Sequence, residues 1–255
     1  MHAGHEIRHS FEMRSVVITG LALAVIAVLT ALSSGLGYRW ELWTLSSAFT
    51  VLRWSAYTGL AAGAVSLVAA AFALHRRSRL GALLALLALL AGAAVAAVPY
   101  AHLRIARSVP PIHDITTDTE EPPRFVEIVA LRADAPNPSD YAGEEAAAMQ
   151  RKAYPEIEPA LLEIAPNEAF NRALAVGKSL GWEIVAAVPS EARIEATDET
   201  LFFGFKDDVV VRLRAEDGGS RVDVRSVSRV GRSDVGANAR RIRRFLDALE
   251  ADASN

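Results

Sequence analysis

The sequence predicts a membrane α-helical part of three spans followed by an α+β soluble domain, a curved antiparallel sheet with two helices. Three apolar stretches, Val16 to Leu36, Ser55 to Leu74 and Leu80 to Val98, each approach the ~20 residues that cross a bilayer, and none holds a charged side chain. After Val98 the chain turns polar and stays polar to Asn255. From Ala160 onward, apolar residues recur at helical spacing in two segments and alternate with polar residues in the others. The expected organisation is a three-span region over 1–100, a proline-rich juxtamembrane linker over 101–159 and an α+β domain over 160–255.

The loop His75-Arg76-Arg77-Ser78-Arg79 carries the densest positive cluster beside any span, which places it, and the N-terminus with Arg8 and Arg14, in the cytoplasm. By alternation the loop from Gly37 to Trp54 and everything after Val98 face the other side, although Arg104 and Arg107 lean the other way. A cleaved signal peptide competes as a reading of the first span, because its n-region is basic and Ala31-Leu32-Ser33-Ser34 resembles a small-residue cleavage site, but the apolar run is long for such a core. Tyr38, Trp40, Trp43 and Trp54 suit headgroup depth, and Leu42, Leu45, Phe49 and Leu52 between them predict an interfacial helix. Gly81, Ala85, Ala88, Gly92 and Ala96 form a small-residue stripe, and Gly59 and Gly63 another, which suits close packing of the three helices. A transporter would place acidic, basic or His side chains inside its spans, and these spans have none.

Lys and Arg outnumber Asp and Glu 7 to 3 before residue 101 and are outnumbered 20 to 27 after it, so the membrane half is net +4 and the soluble half net −7. An acidic domain does not adhere by itself to nucleic acid or anionic lipid, so no nucleic-acid partner is expected. The absence of cysteine rules out thiolate catalysis, cysteine metal sites and disulfides.

In the linker, Pro110-Pro111, Pro122-Pro123, Pro136, Pro138, Pro155 and Pro159 break up structure, leaving a strand at Phe125 to Leu131 and a short helix at Glu144 to Ala153. Leu161 to Ile164 predict a strand, and Pro166 opens a helix with Phe170, Ala173, Leu174, Gly177 and Leu180 on its apolar face. Strands follow at Trp182 to Val188, Ala192 to Thr197, Leu201 to Phe205, Val209 to Leu213 and Arg221 to Val227, the last entered through Asp217-Gly218-Gly219. A final helix is capped by Ser233 or Asp234 and buries Val235, Ala239, Ile242, Leu246 and Leu249. This order is that of the helix-grip and TATA-binding-protein-like folds, an analogy that carries no function.

Three runs carry a family resemblance: Pro110-Pro111-Ile112-His113-Asp114-Ile115-Thr116-Thr117-Asp118, Gly204-Phe205-Lys206-Asp207-Asp208-Val209, and Arg225 through Asp234 leading into Gly236-Ala237-Asn238-Ala239. With the hydrophobic N-terminal part, they resemble the membrane-bound branch of the bacterial proteins grouped as domain of unknown function 1499. The resemblance covers residues 100 to 250 and implies a location and a fold region, with no activity and no catalytic residue attached.

Three constellations could carry chemistry. His113, Asp114 and Asp118 combine an imidazole with two carboxylates, a donor set for a divalent metal, though Asp114 with Thr116 or Thr117 also suits side-chain turns after Pro111. Asp207 and Asp208 could join a calcium site or act as paired acids, but neighbours in a strand point to opposite faces and share a proton only across a turn or bulge, so a hairpin turn with one Asp paired to an arginine such as Arg225 is favoured. Arg225, Arg229 and Arg232, with Asn238 in the following helix, precede a helix N-terminus and suit an anion, while ion pairs within an acidic domain compete with that. No Gly-x-Ser-x-Gly elbow accompanies His102 or His113.

These observations predict an integral protein of the bacterial inner membrane that displays a periplasmic ligand- or partner-binding domain without catalysis. A small amphiphilic or anionic ligand is expected, and no cofactor is indicated. The alternatives are a metal- or arginine-assisted hydrolase acting on an anionic envelope substrate, and a structural membrane scaffold.

Overall fold

The apolar stretches form three long helices in a computed structural model that describes the backbone of residues 2–251 and the side chains of residues 12–251. Helix α1 spans His2–Arg39, α2 Leu45–His75 and α3 Arg79–Ser108. From Glu12 onward, all three are long and apolar enough to cross a membrane. They meet through small side chains: Ala24, Ala62 and Ala88 bury one another, as do Val17, Ala69 and Ala85. At Gly59 and Gly92, α2 and α3 approach backbone to backbone, so that a Cβ on Gly59 would lie 2.7 Å from the Gly92 carbonyl oxygen. Only glycine permits that approach.

No separate interfacial helix forms between α1 and α2, which corrects the sequence expectation. A short turn at Trp40–Thr44 joins them, and the residues expected to lie on the membrane surface extend α2 by more than two turns. The turn is fixed locally: Trp43 Nε1 donates to the Ser34 carbonyl at 3.2 Å, and the Thr44 side chain caps α2 by accepting from the Ser47 N–H.

The chain beyond Arg104 forms a second compact unit. Its strands are β1 (Asp114–Thr116), β2 (Ala160–Leu162), β3 (Glu183–Val188), β4 (Arg193–Glu199), β5 (Lys206–Glu216) and β6 (Gly219–Ser228). Its helices are α4 (Ile128–Leu131), α5 (Glu144–Ala153), α6 (Pro166–Ser179) and α7 (Ala237–Ala251). The sheet is open, curved and antiparallel, in the order β1-β6-β5-β4-β3, with β2 also on β6. The two short strands share one edge of β6: β1 pairs with Arg225–Val227 and β2 with Ser220–Val222.

The segment expected to be a linker with little core is instead part of this unit. It supplies β1 and α5, and it buries Phe125, Ile128, Tyr154 and Ile157. Gln150 ties α5 to β1 by accepting from the Thr116 N–H at 3.0 Å and donating to the Thr116 carbonyl. Phe125 to Leu131, expected as a strand, ends in the single turn of α4, because the Glu195 carboxylate accepts from the N–H groups of Val126, Glu127 and Ile128 and so starts a helix where no strand partner exists. Leu201 to Phe205 is a loop joining β4 to β5 and not a strand. Gly204 turns the chain there at φ +68°, and Thr200 Oγ1 accepts from the Phe205 N–H.

One face of the sheet carries Ile194, Ala196, Val209, Val211, Leu213, Val222 and Val224 against α6 and α7. Trp182 stacks on Phe245 with ring centroids 5.0 Å apart. The buried stripe of α7 is Ala239, Ile242, Phe245 and Leu249, with Leu246 only partly covered. Val235, expected on that stripe, precedes the helix with φ +54°. Helix α7 starts at Ala237, after Val235, and its packing buries Phe245 in place of Leu246, with Asn238 and Arg241 also inward.

Candidate functional site

The other face of the sheet is built from charge. Strand alternation puts Arg193, Glu195 and Thr197 of β4, Asp208, Val210, Arg212 and Arg214 of β5, and Arg221, Asp223, Arg225 and Val227 of β6 on it. The proline-rich segment closes over this face, and Phe125 and Ile128 pack on Val210 and Val227 as a small apolar island. Buried charges require partners, and each of the groups around that island has them.

Arg225 is 2% exposed and forks onto Asp114, with Nε to Oδ1 at 2.9 Å and Nη2 to Oδ2 at 2.8 Å. It also donates to the carbonyls of Pro123 and Ser139, and its guanidinium carbon lies 5.2 Å from the Phe125 ring centroid and 5.4 Å from that of Tyr141. Burial, followed by the nearby Asp114 charge, pushes the Tyr141 hydroxyl up to about 12. Asp208 receives Arg229 on both carboxylate oxygens, Arg132 at 3.2 Å and the Thr197 hydroxyl at 2.8 Å. Arg193 pairs with Glu191 and with Glu195, the carboxylate that caps α4.

Asp118 and Asp223 hold three arginines between them, with Arg212 and Arg214 each reaching both carboxylates and Arg221 doing the same. Arg214 and Arg221 are directly opposite in the register, a like-charge pair that the two carboxylates between them neutralise. Burial alone would raise the Asp118 carboxyl, but the N–H groups of Glu121 and Glu120 and the charges of Arg212 and Arg221 outweigh it and hold the group below its ordinary value.

The sequence-selected residues therefore separate. Asp207 and Asp208 point to opposite faces, Asp207 to Arg241 of α7 at 2.6 Å and Asp208 to Arg229 and Arg132. Asp114 and Asp118 serve different arginines, and among the described residues no three His, Asp or Glu side chains gather as a metal site. Asn238 is fully buried and pins α7 to the sheet: its Nδ2 donates to the His113 carbonyl and Ser228 Oγ, while its Oδ1 accepts from Ser226 Oγ and Arg241. The Asp234 carboxylate occupies the helix N-terminus, accepting from the N–H groups of Gly236 at 2.7 Å and Asn238 at 2.8 Å. Burial raises the Asp234 carboxyl despite those bonds.

Arg232 is the exception among the three arginines. It is exposed, no ion pair to it is found among the described residues, and it borders a cleft of about 270 Å³. Ile112, Ala142, Ala146 and Met149 give that cleft an apolar lining, with His113, Glu145 and Arg232 as its polar groups and the already paired Asp114 beside them. An apolar lining with a cation on the rim suits a small molecule with an apolar body and an anionic end.

Sequence reasoning missed Arg132, Glu195, Asp223 and Arg241, all buried. For Glu195 and Asp223, polarity in a period-two pattern signals solvent until a segment covers the strand, while Arg132 and Arg241 find Asp208 and Asp207 only through the fold.

No curated protein matches the chain. A solved structure, described as the crystal structure of Ara h 8.0201, aligns at 17% identity and a TM-score of 0.31, covering 38% of this chain and 96% of that chain. A family model described as protein of unknown function (DUF1499) matches residues 114–249, which take in β1 and its Asp114, the ion-paired face and most of α7. On that match the chain belongs to the DUF1499 family.

Proposed function

We propose that this protein sits in the bacterial inner membrane and displays, on the periplasmic side, a binding domain without catalysis that takes a small amphiphilic or anionic ligand in the cleft beside Arg232. The observation that carries this reading is the contrast between Arg232 and its neighbours. Arg225 and Arg229 are consumed by Asp114 and Asp208, whereas Arg232 stands at the rim of an apolar-lined cleft with its guanidinium available. Between the sheet and α7, Trp182, Phe245, Ile194, Val209 and Val224 pack together as core. The periplasmic side is supported by Arg76, Arg77 and Arg79 at the α2–α3 turn, which favour the cytoplasm for that turn and the opposite side for the chain after α3.

Two measurements test this. A periplasm-only reporter fused after Asn255 is expected to be active and one fused at Ser78 silent, and the reverse pattern overturns the topology. Titration of the full chain in micelles with a short-chain alkyl phosphate, followed by chemical-shift changes at Met149, is expected to saturate, and Arg232→Glu is expected to weaken binding about tenfold or more. Equal binding by Arg232→Glu, or no saturable response in the parent, removes the cleft as the ligand site.

A further inference from the structure

We propose a second, independent site: the groove between α2 and α3 holds one acyl chain of an anionic phospholipid, from the leaflet nearer the Trp40–Thr44 turn, with its phosphate on the Arg53 guanidinium. Beyond the Gly59–Gly92 crossing the two helices are separated by a cavity of about 630 Å³. Leu52, Ala56 and Leu60 line one wall and Ala93, Ala97 and Leu103 the other. That volume lies within the ~300–1,000 Å³ of small-molecule sites.

Its length fits one leaflet. The lining of α2 runs from Phe49 to Leu60, which at ~1.5 Å per residue is ~16 Å, close to half of the ~30 Å hydrocarbon core. An acyl chain lying along the groove would thus reach the glycine crossing, where the helices close.

Charge selects the head group. Arg53 lies on the groove wall in its outer half, is exposed, and has no ion pair among the described residues. A guanidinium at that depth extends its stem toward the interface and binds a phosphate through two parallel N–H donors. Tyr57 and Tyr100 flank it, both more than half exposed, and the Trp54 ring meets Tyr57 edge-on at 5.7 Å, an arrangement suited to headgroup depth. A second copy of the chain is a poorer occupant. Between Leu45 and Arg104 the sequence contains no Asp or Glu, so the same face of a partner would set arginine against an apolar wall with no counter-ion.

The test is native mass spectrometry of the full chain released from micelles doped equally with phosphatidylglycerol and phosphatidylcholine. The parent is expected to retain one phosphatidylglycerol in preference to phosphatidylcholine. Arg53→Gln is expected to lose that preference by about tenfold, Arg53→Lys to keep part of it, and Ala97→Phe to lose retained lipid of both classes by filling the groove. An unchanged thermal midpoint in Arg53→Gln shows that the fold is intact. Equal phosphatidylglycerol retention by Arg53→Gln overturns the head-group assignment, and lipid still held by Ala97→Phe overturns the groove. A lipid-free dimer in the parent overturns the proposal as a whole.

Discussion

The two faces of the soluble sheet are both buried but are held by different forces. The face against α6 and α7 excludes water with Val, Ile, Ala and aromatic side chains, an interaction that tolerates changes of partner so long as volume and polarity are kept. The face under residues 117–142 is held by arginine–carboxylate networks, buried at Asp114–Arg225 and Arg132–Asp208 and partly exposed at Arg212, Arg214 and Arg221, whose members must meet in a set geometry. The apolar face supplies the driving force. The ionic face supplies registration: Asp114 to Arg225 aligns β1 on β6, Glu195 starts α4, and Asp118 gathers three arginines.

The largest expected effect breaks the ionic face. Arg225→Ala leaves Asp114 charged and buried, at a cost of about 3–5 kcal/mol, measured by urea unfolding of the full chain in micelles. Replacing both partners, as Asp114→Leu with Arg225→Met, is expected to recover most of that loss. Recovery would show that the pair specifies geometry more than it stabilises. No recovery would mean that the carbonyl contacts of Arg225 to Pro123 and Ser139 carry the stability.

On the apolar face, Phe245→Ala is expected to cost about 3–5 kcal/mol, and Leu246→Ala clearly less, because Phe245 is fully buried on Trp182 and Leu246 is not. Equal losses would contradict the observed rotation of α7. Smaller still, on the ionic face, is Glu195→Gln, which keeps the shape but removes charge from a carboxylate facing Arg193 and three backbone N–H groups. A loss of about 1–3 kcal/mol is expected, with faster hydrogen exchange at Ile128.

The smallest effects concern pH and the rim. The Asp118 carboxyl is held below its ordinary value, so its contribution is present above the unfolded value near ~3.9 and is lost as pH falls through the lower folded value. Asp118→Asn should therefore flatten the acid limb of a stability-versus-pH curve. Asp234, raised by burial, works with the opposite sign: its contribution is present below the unfolded value and is lost as pH rises through the folded one. Arg232→Ala is expected to change stability by no more than about 0.5 kcal/mol. A larger loss would place Arg232 with the structural arginines and weaken the ligand proposal.

The sequence by itself determined what depends on local pattern. Runs of uncharged apolar residues specify spans wherever they stand in a chain. Period-two and period-3.6 alternation specified β4, β5, β6 and α6, and Pro166, Gly181 and Gly218 marked their ends. The α5 helix matched its expected limits, Glu144 to Ala153. Tertiary structure decided what depends on which surfaces meet. Polar residues on a strand read as solvent-facing until another segment covers them, and Phe125, Ile128 and Arg132 cover them here from far along the chain. The phase of α7 was likewise set by contact: Leu246 and Phe245 differ by one residue, about 100° around the helix, and only packing on Trp182 chose between them. Arginines 225, 229 and 232 look alike in sequence. Their partners lie elsewhere, Asp114 from β1 and Asp208 from β5, so only the fold could determine which of the three was left with its charge exposed.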